Sequence, residues 1–213
     1  MIILYTEKQP GEKMDNTTQK MFGIAALLLA IIFPVYWLGA FGMVIQEADL
    51  FSVRDLTTLS GWDMVLLVIG ILEVIVYLGL SQFFRHQLHG RVASVLLLVM
   101  AFLVAVFHST LAVDFLVGLG IVNMSAAVIE LVAVGALAVL LLYSVTLLTL
   151  GIVLLARFPA WSSLMKVFAV VALITAIAQL SVVLTVLNII LFPILMLIVS
   201  FHFLVGENHA EVV

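Results

Sequence analysis

Glu73 carries the chemistry in this chain that most needs explaining. It lies in the middle of residues 64–84, an apolar stretch with no Lys or Arg to pair with it. If that stretch crosses a bilayer, the carboxyl sits near the midplane, where insertion scales charge roughly 2.5–3.5 kcal/mol for an ionised Asp. Gly70 and Tyr77 share its helical face at offsets of three and four. A neighbouring helix can approach closely at Gly70, and the Tyr77 hydroxyl can hydrogen-bond nearby. Two functional chemistries fit: an acid that carries a proton, or a carboxylate that holds a cation or an amine. The structural alternative is a protonated Glu that fixes a helix–helix or subunit contact.

His108 is the second candidate. At helical spacing it falls with Ala101, Ala105 and Ala112, a small-residue stripe that would let another helix pack close against the imidazole. If Glu73 marks the midplane, His108 lies one to two turns outward of it, so the two can meet directly or through water. Gln179 completes a small-residue face with Ala169, Ala172 and Ala176 and, with Ser181, offers a neutral polar partner. Asp114 and Glu130 would continue the polar series as an outer acidic vestibule. Acids at helix ends are usually just hydrated, and Asp114 is off the His108 face of an ideal helix. Tyr143, Ser144, Thr146 and Thr149 are expected mostly to bond their own helix backbone.

Enzyme signatures are missing. There is no HExxH, no GxSxG, no Walker loop and no paired acidic motif, and there is no cysteine to serve as nucleophile or metal ligand. His86 and His89, in RHQLHGR, satisfy a short basic connection more simply than a metal site. His202 falls near the inner end of its helix, a poor axial partner for His108 around a haem. No catalytic residue, metal or cofactor is assigned.

The elements that must position Glu73 and His108 follow from composition. Of the 213 residues 66% are hydrophobic and only 9% charged, and the mean hydropathy is +1.39, far from the roughly 25% charged residues of soluble domains. A hydrocarbon core about 30 Å thick takes about 20 apolar residues per helix. The pattern predicts an all-α, polytopic membrane bundle of six helices, at about 22–45, 62–84, 92–117, 125–156, 167–186 and 188–205. A polar arm, 1–21, precedes them and a tail, 206–213, follows. The arm and the first helix do not form a cleavable signal peptide, because the apolar run is too long. The fourth helix exceeds the hydrocarbon thickness and must tilt, bend or project. The last two, divided only by Leu187 and Asn188, form a tight hairpin.

Six spans sort the charges. Lys8, Lys13, Lys20, Arg85, Arg91, Arg157 and Lys166 fall on one side and Arg54 alone on the other, which places both termini in the cytoplasm. The opposite side collects Glu47, Asp49, Asp55 and Asp63. Trp62 and Trp161 lie beside helix ends, as interfacial indoles do. Trp37 lies deeper, next to Pro34, which with Pro193 is expected to kink its helix. The loop 46–61 suits either a short interfacial helix or irregular chain. No internal repeat of the transporter kind is visible.

The chain is therefore expected in the cytoplasmic membrane of a bacterium or archaeon, with the lipid bilayer as its partner. A homo-oligomer or a complex with another membrane protein is compatible with the alanine faces. With net charge −4 there is no basic patch for nucleic acid. Three functions remain. The first is a small transporter or channel-like protein with a proton- or cation-linked site at Glu73, His108, Tyr77 and Gln179, reached from the acidic outer side. The second is a non-catalytic subunit that anchors or regulates a partner complex. The third is a lipid-modifying enzyme using Glu73 and His108 as an acid–base couple.

Overall fold

Backbone polar groups in lipid must be satisfied within their own segment, so long apolar runs become helices. The structure, a computed structural model, describes residues 14–47, 60–87, 90–156, 162–181 and 184–205, without the side chains of 41–47 and 86–87. It contains α1 (Asn16–Glu47), α2 (Gly61–Gln87), α3 (Arg91–His108), α4 (Leu111–Gly118), α5 (Ala126–Ala156), α6 (Ser163–Leu180) and α7 (Asn188–Val205), with a 3₁₀ turn at Leu184–Leu187 before α7. Among the described residues six stretches, α3 and α4 counting as one, are long and apolar enough to cross a membrane. The chain is an all-helical bundle with the length and composition of an integral membrane protein. Most of loop 46–61, the His86 and His89 side chains, Trp161, Arg54 and Arg157 lie outside the described residues.

The long helices close into a ring. Each packs on the next in the chain, α1 on α2, α2 on α3, α3 on α5, α5 on α6 and α6 on α7, and α7 returns to α1 in the most extensive interface. Facing residues show that neighbours run antiparallel. Phe22 meets Gly79 and Trp62 meets Gly39 between α1 and α2. Ser81 bonds Ser94 between α2 and α3. Phe22 lies 5.9 Å from Phe203, and Phe33 4.4 Å from Phe192, between α1 and α7. The first halves of α1, α3 and α6 therefore share one end of the bundle with the second halves of α2, α5 and α7. Lys20, Arg85, Arg91 and Lys166 all stand at or near that end.

Glycine sets two of the closest approaches. A Cβ at Gly79 would overlap the Phe22 ring, and one at Gly151 would lie 3.2 Å from the Leu173 backbone. Because Phe22 is wedged against Phe203, Gly79→Ala is expected to destabilise by about 1–3 kcal/mol, as overpacking does. Unfolding in mixed detergent–lipid micelles measures this; an unchanged midpoint would mean that the ring moves aside freely.

Three features differ from the sequence expectation. The third span breaks after His108, where the Ser109 and Thr110 hydroxyls donate to the carbonyls of Val106 (2.6 Å) and Phe107 (2.7 Å). Ala112 and Val113 N–H then bond only three residues back, to Ser109 and Thr110, a tighter turn that re-phases the chain before α4. The fifth span, expected to reach 186, stops at Leu180. Ser181 adopts an extended backbone, and its carbonyl takes the N–H of Leu184 and Thr185 to start the 3₁₀ turn. The long α5 packs mainly through its second half, at Tyr143, Ser144, Leu147, Leu150, Gly151 and Leu154. From Glu130 to Leu142 none of its side chains is buried.

Candidate functional site

The antiparallel ring leaves a cavity of about 150 Å³ in the half of the bundle away from the Lys/Arg end. All six spans contribute to it. Phe33 and Trp37 come from α1, Leu66, Ile69 and Glu73 from α2, and Leu103, Val104, Phe107 and His108 from α3. Val139, Leu140 and Tyr143 come from α5, Gln179 from α6, Thr185 from the 3₁₀ turn, and Asn188, Ile189 and Phe192 from α7. On α1, α2, α3, α5 and α7 the lining stops at about one level, set by Phe33, Glu73, Leu103, Tyr143 and Phe192. Beyond it Leu29, Leu80, Leu97, Met100, Leu147, Leu150 and Met196 are almost completely buried. Glu73 thus sits at the floor of a largely apolar recess, above a fully packed half.

Glu73 is only 7% exposed. Among the described residues no hydrogen bond reaches its carboxyl, whose oxygens are not sealed in the packing but open onto the cavity. Tyr77, one turn further along α2, hydrogen-bonds Tyr143 instead, through the two hydroxyls. Both phenols lie within electrostatic reach of the Glu73 carboxyl. Tyr77 does not line the cavity; it lies just beneath, and Tyr143 bridges it to the lining.

His108 is seated against α2 so closely that a Cβ at Gly70 would overlap its ring. Its Nδ1 lies 2.9 Å from the Val104 carbonyl, so Nδ1–H donates there and Nε2 keeps its lone pair in the tautomer this bond implies. Nε2 is buried and has no hydrogen-bond partner among the described residues. The expected alanine stripe is corrected here. Ala101 is buried, but Ala105 and Ala112 are exposed, and the small residue that admits the imidazole is Gly70 on the opposing helix. The break after His108 moves Ala112 off the helical phase that an unbroken span would give it.

Gln179 reaches the cavity from the α6 face formed by Ala169, Ala172 and Ala176, all fully buried. Asp114 and Glu130 do not reach it. Asp114 is buried on α4 rather than hydrated at a helix end, and Glu130 is exposed on α5. A vestibule of these two acids is not part of the cavity lining. Among the described residues no three His, Asp or Glu side chains cluster as metal ligands. His202 lies at the other end of the bundle from His108, 4.4 Å from the Phe83 ring.

Comparison with families of known proteins, with curated proteins and with solved structures found no match. Function must therefore be argued from the cavity.

Tyr143 and Asn188 add groups that the sequence pattern did not single out as members of a site. Ser144, Thr146 and Thr149 bond the carbonyls four residues back, at 2.7–2.8 Å, as hydroxyls in membrane helices do, whereas Tyr143 turns inward to Tyr77. Asn188 opens α7, is 9% exposed, and its Oδ1 has no partner among the described residues. Five residues on, Pro193 has no N–H to give the Ile189 carbonyl, and Ile189 also lines the cavity. The recess thus gathers a carboxyl, an imidazole nitrogen, two amides and a phenol in an otherwise apolar and aromatic wall.

Proposed function

We propose that the protein is a small transporter or channel-like membrane protein that binds a proton or a small cation at Glu73. One observation carries this: the carboxyl of a buried residue, open to the cavity and without a hydrogen-bond partner among the described residues, forms the floor of a cavity shared by all six spans. A carboxyl kept only for packing would be expected to meet a donor on a facing helix. The unpartnered His108 Nε2 and Asn188 Oδ1, with Gln179, give an entering cation or water its acceptors. The volume supports a small occupant. About 150 Å³ is below the roughly 300–1,000 Å³ of sites for drug-sized ligands and is room for water or a small ion.

Charge supports an orientation. The Lys/Arg end lies in the cytoplasm by the positive-inside rule, so the cavity faces the opposite, acid-rich side, whose field concentrates cations at the entrance. The test is flux in vesicles. The full-length chain, reconstituted in phosphatidylethanolamine–phosphatidylglycerol liposomes, should dissipate an imposed proton or sodium gradient faster than empty vesicles do. Dicyclohexylcarbodiimide, which modifies protonated carboxyls in apolar surroundings, should abolish that flux and leave its adduct on Glu73 by mass spectrometry. The transport assignment fails if neither gradient decays faster than in empty vesicles, or if flux survives full modification of Glu73.

A further inference from the structure

Glu73 is the first rung of a ladder. On α2 it is followed at four-residue steps by Tyr77, Ser81 and Arg85, which stacks successive side chains about 6 Å apart along the axis, each turned about 40° from the last. The ladder runs from the cavity floor to the Lys/Arg end. Each buried hydroxyl on it is paired with a hydroxyl from another helix. Tyr77 bonds Tyr143 of α5, and Ser81 lies 2.8 Å from the Ser94 hydroxyl of α3 while also donating to the Ser94 carbonyl at 3.0 Å. Arg85 is exposed at the end of the series.

The surroundings decide what can use it. Leu80, Leu97, Met100, Leu147 and Leu150 are at most 1% exposed and fill the same half of the bundle. A hydrated metal ion or an organic cation cannot pass that packing without separating helices. A proton needs only oxygen atoms, because a hydroxyl can accept one proton while donating its own.

Resting on the assignment of Glu73 as a proton or cation site, we infer that the species passed is a proton, carried between Glu73 and the Lys/Arg end by the paired hydroxyls Tyr77–Tyr143 and Ser81–Ser94. The carboxyl gives its proton through a cavity water to Tyr143, which lines the same recess, and within the tyrosine pair one hydroxyl accepts as the other donates onward. The serine pair, one helical turn further along α2 (about 6 Å of axial rise), is reached through water that enters between the two pairs. The serine pair releases a proton beside Arg85. The carboxylate then regains a proton from the cavity, and rotation of the hydroxyls resets the chain. Only O–H bonds are made and broken, and one proton crosses per cycle.

The same hydroxyl pairs could be interhelical fastenings alone, and flux separates the two roles. The full-length chain is reconstituted as above with entrapped pyranine, and the membrane potential is clamped by potassium and valinomycin. Tyr143→Phe and Ser81→Ala are each expected to slow proton flux at least tenfold. Carbodiimide should still modify Glu73 at the wild-type rate, showing that the cavity is intact. Thr149→Val removes a lipid-facing hydroxyl off the ladder and should conduct like wild type. If Tyr143→Phe does not elute as a single species, Ser94→Ala replaces it, taking one hydroxyl from the second pair. Proton flux within twofold of wild type in the hydroxyl variants, while modification of Glu73 still abolishes it, overturns the ladder and leaves the Glu73 site standing. Sodium flux without proton flux does the same. Proton flux indifferent to Glu73 overturns the site, and the ladder with it.

Discussion

Glu73→Gln is expected to lower proton or cation flux at least tenfold while the protein elutes and unfolds like wild type. Glutamine keeps the shape of the side chain but neither takes up and releases a proton nor carries charge. The fold should tolerate the change because the carboxyl loses no hydrogen bond among the described residues, and the amide can use the acceptors of the same recess. Glu73→Leu separates the roles further. An acid kept for packing would hold a facing helix by a hydrogen bond that leucine cannot make, so its replacement would destabilise, whereas a carboxyl without such a bond leaves leucine nothing to break. A leucine variant that is at least as stable as wild type, yet without flux, is the signature of a residue kept for function. Flux in Glu73→Gln within twofold of wild type would remove Glu73 from the mechanism.

The second large effect concerns the seat of His108. Gly70→Ala places a methyl group where the imidazole ring lies. The ring is held by its 2.9 Å bond to the Val104 carbonyl and cannot swing away without losing it. The substitution is expected to cost about 1–3 kcal/mol in the wild-type background. With His108→Ala already in place the clash is gone, and alanine should stabilise α2 relative to glycine by up to about 1 kcal/mol. A change of sign between the two backgrounds, read from unfolding in mixed micelles, is the expected result. Equal effects within about 0.5 kcal/mol, the usual limit for independent sites, would show that residues 70 and 108 are not coupled.

Hydropathy made the six spans legible, because length and apolar character alone select helices of this kind. Glu73 and Gln179 stood out for the same reason, as polar groups within runs of Leu, Val, Ile and Ala. What the sequence could not supply was phase. On a helix that is apolar all round, such as α5, nothing local says which side faces the interior, so Tyr143 looked no different from Thr146 or Thr149. The face assigned to Ala105, His108 and Ala112 assumed an unbroken helix. Ser109 and Thr110 interrupt it through hydroxyl bonds to carbonyls three residues back, and the rotation carries Ala112 outward. Asn188 read as punctuation between two spans, yet the turn that Ser181 begins folds it into the cavity wall. Burial of Asp114 depends in the same way on how α4 sits after the break.

The level at which the cavity ends has an electrical meaning. A recess that fills with water carries the conductivity of the outer solution down to Glu73, so most of the transmembrane voltage falls across the packed half between Glu73 and Arg85. Charge entering the recess crosses little of that field. Charge moving past the two hydroxyl pairs crosses nearly all of it, at roughly 2.3 kcal/mol per elementary charge per 100 mV. On the proposed path the membrane potential would therefore act on proton transfer below Glu73 and hardly at all on the filling of the site above it.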